Sequence, residues 1–342
     1  MEKIRLGRTN LMVSRSGFGG IPIQRLSSAE AEKVVRKAYD SGFTYYDTAR
    51  LYTDSEEKIG RALHDVRDKI IIATKTTATT KDGVLADIRQ SLKNLQTDHV
   101  DILQLHNANP IPDPNDPESN YAGQIEAQRL GLTRFISITC HNYDNAVKAV
   151  KSELWDTLQF PFSPISTERE LAVAQLCKEH DVGAIGMKGL AGGLINHAEP
   201  AFAFLRQIGN LLTLWGIDHE WQVDEFAVLE NKQPKLDDQL MSMIEKWRKD
   251  LAGDFCRGCG YCLPCPANIP IPMAARMPHH LRESPDSRLI NEEWKAKMDL
   301  IDDCINCGHC MEHCPYELNT PELLKKALVL YRERYIKVKG KY

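Results

Sequence analysis

Short apolar runs alternate with longer amphipathic stretches along the first 231 residues. The apolar runs lie at 16–19, 43–46, 70–73, 100–105, 135–138, 157–160, 182–187 and 211–214. Runs that are apolar throughout are typical of strands buried on both faces of a parallel sheet. The stretches at 28–41, 82–95 and 167–180 repeat their apolar positions with helical spacing. This order predicts eight βα units.

Eight βα units can close into a barrel or lie in an open, doubly wound sheet. An open sheet that binds a dinucleotide would carry a Gly-x-Gly-x-x-Gly turn after its first strand. No such turn follows residues 16–19. We therefore predict an α/β fold in which residues 1–231 form a (β/α)8 barrel of the TIM type.

The cysteines are distributed unevenly and mark a second domain. Eight of the ten lie between Cys256 and Cys314. The polar stretch 232–253 predicts a helical connector, and residues 254–342 predict a small, mainly α-helical domain that carries these cysteines.

Composition changes this picture only by excluding classes of function. A net charge of -4 gives no reason to expect nucleic-acid binding. No segment reaches the roughly 18 consecutive apolar residues that a membrane span needs, and the N-terminus has no apolar stretch typical of a secretory signal. We expect a cytoplasmic protein, in which closely spaced cysteines favour metal ligation over disulfides.

Four polar side chains stand where predicted strands end, which is where (β/α)8 barrels carry their catalytic groups. Asp47 follows the second strand, and Tyr52 lies in the loop after it. Lys75 follows the third strand and His106 the fourth. Each alone could be a packing, capping or solvated residue. An acid, a phenol, an amine and an imidazole on one rim together predict a proton-transfer site.

The chemistry of these four groups is compatible with carbonyl reduction. An ammonium ion stabilises a nearby phenolate, so Lys75, held charged by Asp47, would assist loss of a proton from Tyr52. Tyr52 could then give that proton to a carbonyl oxygen oriented by His106.

Residues 47–52 (Asp-Thr-Ala-Arg-Leu-Tyr) resemble the Asp-Thr-Ala-x-x-Tyr segment of the aldo/keto reductase family. Residues 73–75 and 104–107 look like that family's Lys and His segments, and residues 6–14 are similar to its N-terminal hairpin. The resemblance implies a (β/α)8 barrel and nicotinamide-dependent carbonyl reduction, with Tyr52 as the acid.

The same resemblance implies where a nicotinamide cofactor would bind. The implied contacts to the nicotinamide are Gly19, Gly20, Thr139, Gln159 and Phe162, which stands where the family usually has a Tyr stacked on the nicotinamide ring. Residues 188–193 resemble the loop that wraps the pyrophosphate, which implies contacts from Lys188, Gly189, Leu190 and Gly192. Glycine-rich backbone after a seventh barrel strand suits anion binding.

The stretch after the eighth strand departs from the family pattern. Asp218 stands where members usually have a basic residue for the 2′-phosphate of NADPH, and Trp221 and Phe226 replace the pair that contacts adenine. A carboxylate repels a phosphate but can accept a hydrogen bond from a ribose hydroxyl. This speaks against NADPH and leaves NADH possible. A shifted alignment and the lack of any stable dinucleotide stay open as alternatives.

Two groups of four closely spaced cysteines predict iron–sulfur clusters. Residues 304–315 match the bacterial ferredoxin pattern Cys-x2-Cys-x2-Cys-x3-Cys-Pro, whereas residues 256–266 have two residues before their last cysteine. In two-cluster ferredoxins the fourth ligand comes from the other group. We therefore predict one [4Fe-4S] cluster on Cys256, Cys259, Cys262 and Cys314, and a second on Cys304, Cys307, Cys310 and Cys265. Zinc is the alternative metal.

Three functions follow from these two domains. In the first, the barrel reduces or oxidises a carbonyl or related unsaturated substrate, and the clusters exchange electrons with an external carrier such as a ferredoxin or flavodoxin. In the second, the barrel is an ordinary NAD(P)H-dependent carbonyl reductase with structural or redox-sensing clusters. In the third, the chain is a non-catalytic electron-transfer subunit. The sequence carries no flavin motif, although a barrel can bind a flavin without one.

Overall fold

A computed structural model describes residues 1–251, 255–256, 258, 260, 262–314 and 316–342. The chain divides into two compact units, Met1–Ile244 and Glu245–Tyr342. The division falls inside a helix, Asp238–Asp250, within the stretch that the sequence predicts as a connector. Within the described ranges, no helix is long and apolar enough to cross a membrane.

Eight parallel strands close into a barrel in the first unit. A preceding antiparallel hairpin consists of β1 (Lys3–Arg5) and β2 (Met12–Ser14). The barrel strands are β3 (Ser16–Gly19), β4 (Tyr45–Asp47), β5 (Ile71–Thr76), β6 (Val100–Leu105), β7 (Thr133–Thr139), β8 (Thr157–Pro161), β9 (Gly183–Met187) and β10 (Leu211–Gly216). Each pairs with the next along the chain, and β10 closes the barrel on β3. The predicted barrel is confirmed, and each apolar run overlaps one strand.

Amphipathic helices follow the strands. They are α1 (Ser28–Asp40), α2 (Ser55–Leu63), α3 (Lys81–Leu95), α4 (Asn120–Arg129), α5 (Tyr143–Ser152), α6 (Glu168–Glu179), α7 (Ala198–Leu205), α8 (Glu220–Lys232) and α9 (Asp238–Asp250). Ser27 and Thr167 each form a capping box with a glutamate three residues later, which fixes where α1 and α6 begin. The buried sides of the helices and the outer faces of the strands form the larger core of the unit.

The N-terminal hairpin packs against the end of the barrel at which the strands begin. Its apolar side chains join the inward-facing residues of the strands in a separate core, made of Ile4, Leu6, Leu11, Val13, Tyr45, Ala73, Ile102, Ile185, Leu212 and Leu214. Gly7 has a φ of 51°, and a Cβ there would lie 2.2 Å from the backbone nitrogen of Gly183. Only glycine allows so close an approach. The predicted proton-transfer residues lie at the opposite end.

Within the described residues of the second unit, the regular secondary structure is helical and no strand is present. After α9 come α10 (Ile271–Ala274), α11 (Met277–Glu283), α12 (Asp286–Leu289), α13 (Glu292–Asp299), α14 (His309–Glu312) and α15 (Thr320–Lys339). Buried faces of these helices form a core around Met298, Leu328 and Tyr331. Tyr331 also donates a hydrogen bond to the carbonyl of Leu289 at 2.9 Å, which ties α15 to α12. The prediction of a mainly α-helical second domain is confirmed.

Candidate active site and cysteine cavities

The side chains inside the barrel lie in layers, because residues two apart on a strand share a face. Tyr45 and Ala73 belong to the apolar interior core, so Asp47 and Lys75 point inward one layer closer to the ends of the strands. Lys75 pairs in register with Gln104 of β6. Strand register therefore brings an acid, an amine and an amide together at the end of an otherwise apolar interior.

Asp47 and Lys75 form a buried ion pair. The Lys75 ammonium donates a short hydrogen bond to Asp47 Oδ2 and a second one, at 2.8 Å, to the carbonyl of Thr48. The two residues are only 4% and 2% exposed. Burial lowers the pKa of Lys75 below its usual 10.5, while Asp47, and more weakly Glu56, raise it again. The two carboxylates thus favour a charge that burial alone would remove.

Tyr52 and His106 lie directly above this pair and are half-buried. The Lys75 ammonium lies 5.1 Å from the centre of the Tyr52 ring. The rings of Tyr52 and His106 meet edge to face, with their centres 5.7 Å apart. The structure therefore brings all four sequence-predicted residues together at the strand ends, with the two rings on the more exposed side.

Of two buried polar residues that the sequence analysis missed, one contacts this group and the other lies near it. The Gln104 amide donates to Asp47 Oδ1 at 2.9 Å and is fully buried. Glu56 of α2 accepts a hydrogen bond from the Thr74 hydroxyl at 2.6 Å and is 1% exposed. Gln104 had a signal in the sequence, as the amide within the run 100–105. Glu56 had none, because its partners lie elsewhere in the chain.

The residues expected to contact the nicotinamide lie at the same end of the barrel. One of them has a buried polar atom without a hydrogen-bond partner among the described residues. Gln159 is 1% exposed on β8, and its Oε1 has no hydrogen-bond partner within the described part of the chain. A buried polar atom without a partner is costly, and a carboxamide N–H is the donor that would satisfy it. The Thr139 hydroxyl, by contrast, accepts from the backbone N–H of Asn107 at 2.6 Å. Gln159 therefore fits the nicotinamide group.

Glycines at this end allow close packing of the chain itself. A Cβ on Gly20 would lie 2.9 Å from the carbonyl oxygen of Asp47, and one on Gly189 would lie 2.6 Å from the Trp215 ring. Gly19 pairs with Gly216 across the barrel seam. In the loop after β9, the Leu190 carbonyl accepts from the backbone N–H of Gly193 at 2.9 Å. Lys188 and Gly192 adopt positive φ of 62° and 70°.

Phe162 does not present a ring face to the barrel mouth. It is 1% exposed and meets the edge of Phe160 at 5.4 Å between ring centres. A nicotinamide could stack on this ring only after it had been uncovered. The stacking role that the resemblance implies for Phe162 therefore requires a side-chain movement.

The region expected to bind the adenosine end is aromatic and acidic. Phe226 is buried and stacks on Trp215 at 4.4 Å, while Trp221 is 59% exposed. Asp218 is partly exposed, and its backbone N–H donates to the Gln222 side chain at 2.8 Å. Asp224 pairs with Lys37 at 2.6 Å. A carboxylate such as that of Asp218 repels a phosphate.

Two cavities lie among the cysteine-bearing loops of the second unit. The first, which we name the Cys307 cavity, has Cys262, Cys265, Cys304, Cys307 and Cys310 in its lining. The second, the Cys314 cavity, has Cys256, Cys262, Cys310 and Cys314 in its lining. Cys259, predicted to share a cluster with Cys256, Cys262 and Cys314, lies outside the described residues.

The cavities fit iron–sulfur clusters in ligand chemistry, because several cysteines line each of them. The cysteines that the structure describes are all free thiols rather than disulfides. Within the same part of the chain, no three His, Cys, Asp or Glu side chains form a group that could hold a metal ion. A four-iron cluster binds cysteines at its corners and needs thiolates placed around a central space.

Comparison with known proteins now places the chain in a family. Residues 16–203, more than half of the chain, match the aldo/keto reductase family model. The chain belongs to the aldo/keto reductase family. Residues 255–319 match a 4Fe-4S dicluster domain, which confirms the predicted iron–sulfur domain and favours iron over zinc. This member of the family therefore carries an iron–sulfur domain after its barrel.

Two relatives that are named as reductases match somewhat more than half of the chain. Aldo-keto reductase YhdN of Bacillus subtilis (strain 168) is 29% identical over 57% of this chain and 64% of its own length. Methylglyoxal reductase DkgB of Escherichia coli O157:H7 is 31% identical over 51% of this chain and 67% of its own length. The chain thus spans about two thirds of the length of these relatives.

Solved structures share the fold. An aldo-keto reductase from Klebsiella pneumoniae, in complex with NADPH, has a TM-score of 0.61. The match covers 72% of this chain and 95% of that one, at 19% sequence identity. At this identity, the likeness supports the barrel of the aldo/keto reductase fold alone.

Proposed function

We propose that this protein is an oxidoreductase that reduces or oxidises a small carbonyl-type or related unsaturated substrate and exchanges electrons through two [4Fe-4S] clusters. Residues 1–231 would form the reductase part, 232–253 the connector and 254–342 the electron-transfer part. The observation that carries the proposal is the buried Lys75–Asp47 pair beneath Tyr52 and His106. The cysteine-lined cavities supply the second half of the argument.

Tyr52 is the proposed general acid in the direction of reduction. Its hydroxyl gives a proton to the carbonyl oxygen as the carbonyl carbon gains a hydride, and it takes the proton back in the reverse direction. The phenolate left behind is stabilised by the Lys75 ammonium, whose distance from the ring, 5.1 Å, suits a charge interaction. His106, edge-on to Tyr52, would orient the carbonyl oxygen.

Asp47 keeps Lys75 charged and in place. A lysine as buried as this one tends to lose its proton, and a neutral amine would not stabilise a phenolate. Gln104 holds the second oxygen of Asp47, so that the carboxylate has one orientation. Both residues act through Lys75 rather than on the substrate.

The proposed cofactors are two [4Fe-4S] clusters and NADH. Cys265, Cys304, Cys307 and Cys310 would hold one cluster, and Cys256, Cys259, Cys262 and Cys314 the other. When bound, a nicotinamide supplies a hydride and each cluster exchanges one electron, so two clusters match the two electrons of one hydride. The unpartnered Gln159 Oε1 supports a carboxamide contact, and Asp218 argues against the 2′-phosphate of NADPH.

We propose a chemical class for the substrate and another for the electron-transfer partner. The name of the methylglyoxal reductase relative suggests a small carbonyl compound. The clusters would exchange electrons with a small external carrier, such as a ferredoxin or flavodoxin. Thiolate ligands need a reducing compartment, which supports a cytoplasmic protein.

Anaerobic reconstitution of the full chain tests the proposal. Iron and sulfide analysis should give about eight iron atoms per chain, as two four-iron clusters require. EPR spectra recorded before and after addition of NADH should show reduced-cluster signals after it. If dithionite reduces the clusters but neither NADH nor NADPH does, the external carrier would be the electron donor. The dinucleotide would then no longer be a proposed cofactor. Zinc in place of iron would exclude electron transfer.

A second candidate is an ordinary NAD(P)H-dependent carbonyl reductase whose clusters are structural or redox-sensing. The fit of Gln159 to a nicotinamide favours it, because that contact needs no cluster. A single-turnover experiment separates the two candidates. The clusters of the full chain are first oxidised with ferricyanide, the oxidant is removed by desalting, and NADH and a carbonyl compound are then added. Unchanged single-turnover reduction of a carbonyl by NADH, with no cluster signal at any time, would favour the second.

A further inference from the structure

His309 places an imidazole in the wall of the Cys307 cavity. It lies between Cys307 and Cys310 and begins the short helix α14. The side chains of all three residues line the cavity, together with Cys265 and Cys304. A non-cysteine polar ring thus stands among the proposed ligands of one cluster.

One nitrogen of this ring is without a hydrogen-bond partner among the described residues. His309 Nε2 is buried and has no hydrogen-bond partner in the described part of the chain. A buried donor or acceptor left without a partner costs about 1–3 kcal/mol. The cavity that the ring lines is the place where a partner could be.

A second imidazole holds the His309 ring in place. The His313 ring packs against it with 4.1 Å between ring centres and a 34° tilt. His313 Nδ1 donates to the backbone carbonyl of His309 at 2.9 Å, one helical turn away. His313 itself lines the neighbouring Cys314 cavity. The two rings therefore form a small stack in which only His309 reaches the Cys307 cavity.

We propose that His309 donates an Nε2–H hydrogen bond to a sulfur of the cluster in the Cys307 cavity and thereby raises the reduction potential of that cluster. The inference rests on the proposed function insofar as a [4Fe-4S] cluster must occupy this cavity. Hydrogen bonds to cluster sulfurs are among the factors that set these potentials. One-electron reduction adds negative charge to the cluster, so a donor stabilises the reduced form more than the oxidised one.

The cluster proposed for the Cys307 cavity would be the more accessible to solvent, so its reduction potential would matter most for exchange with a carrier. Among the cluster cysteines that the structure describes, Cys307 alone is exposed, while the others are half-buried. Ile305, beside it in the cavity wall, is 67% exposed. A one-electron carrier in solution would therefore meet this cluster readily, and its potential would govern how easily the first electron enters.

The test is an EPR-monitored redox titration of the anaerobic, reconstituted full chain, with dithionite as the reductant. His309→Leu removes the donor at similar volume, and His309→Gln keeps an N–H donor. We expect one of the two midpoint potentials to fall in the Leu variant by the equivalent of about tenfold in the reduction equilibrium, which is about 59 mV for one electron. The other potential should stay unchanged, and the Gln variant should recover most of the shift.

His64→Leu is the matched control, because it makes the same change at an exposed imidazole of the barrel unit, which bonds to the Arg61 carbonyl. It should move neither potential. Equal shifts in the Leu and Gln variants, or no shift in a Leu variant that retains all its iron, would overturn the inference. A chain that binds no cluster at all would instead refute the proposed function.

Pulsed EPR on wild-type protein grown with 15N-histidine tests the inference without any substitution that could change the iron content. The reduced cluster should show a weak coupling to a histidine nitrogen and to one proton that exchanges in D2O. A strong nitrogen coupling would make His309 an iron ligand, and no nitrogen coupling would place it away from the cluster. Either result would contradict the hydrogen bond.

Discussion

At the scale of single residues, the polar groups at the ends of the barrel strands depend on one another. Tyr52 would carry the transferred proton, and Lys75 would carry the positive charge that stabilises its phenolate. Asp47 would keep that charge in place. Each role assigned here predicts a different response to substitution.

Tyr52→Phe removes the proposed acid while keeping the ring. We expect kcat for reduction of a small carbonyl such as methylglyoxal to fall about 10²–10⁴-fold, the usual contribution of a general acid. Steady-state kinetics on the reconstituted full chain measure this. Tyr143→Phe, on α5, is the control and should leave kcat unchanged. Equal activity in both variants would favour a non-catalytic subunit.

Asp47→Asn leaves the Lys75 charge buried without its partner. Loss of one member of a buried pair costs about 3–5 kcal/mol in the free energy of unfolding. Without Asp47 the pKa of Lys75 falls further below 10.5, because burial then acts against fewer opposing charges. In the window between that lowered pKa and 10.5, the unfolded chain binds the extra proton, so stability rises with pH.

The deficit of Asp47→Asn relative to wild type should therefore be largest at neutral pH and shrink as pH rises, because Lys75 loses its proton earlier in the variant. Urea denaturation at several pH values measures it. The double variant with Lys75→Met removes both charges and should recover much of the loss. A deficit independent of pH would show that Lys75 is not the group responsible.

At the scale of elements, the N-terminal hairpin closes one end of the barrel through a single close approach. Gly7 and Gly131 both have positive φ, but a Cβ would meet backbone only at Gly7. We expect Gly7→Ala to cost about 2–4 kcal/mol, from backbone strain plus overpacking. Gly131→Ala, where nothing lies within 4 Å, should cost about 1–2 kcal/mol. Equal losses in urea denaturation would contradict this account of hairpin docking.

At the scale of the whole molecule, the two compact units differ in what holds them together. The barrel is held by apolar cores, whereas the second unit combines an apolar core with cavities expected to hold metal. Metal binding of this kind contributes directly to folding. Removing iron with a chelator under oxidising conditions should therefore weaken one unit and spare the other.

Hydrogen exchange read by mass spectrometry measures this difference. After iron removal, peptides from 255–319 should lose protection, while those of the barrel strands keep theirs. The Leu-rich helix α15 should respond less than the cysteine loops, because it packs on the apolar core of its unit. Loss of protection throughout the barrel would mean that the units do not fold independently.

Local patterns in the sequence determined the main architecture. Alternating apolar runs and helical periods predicted a (β/α)8 barrel, because burial imposes a period on each element whatever its neighbours are. The spacing of eight cysteines predicted an iron–sulfur domain, because a cluster constrains ligands that lie close in the chain. Asp47, Tyr52, Lys75 and His106 were found for a similar reason: strand ends in a barrel share one rim. Their catalytic roles stay predictions.

Only the tertiary structure decided which groups support that rim. Gln104 contacts Asp47 through the register of β5 and β6, and Glu56 contacts Thr74 through the docking of α2. Phe162 proved to pack against Phe160 instead of being open for stacking. His309 became notable only when its nitrogen was seen without a partner in a cavity wall. Such contacts join residues far apart in the chain or depend on side-chain direction, whereas sequence periodicity encodes burial and spacing alone.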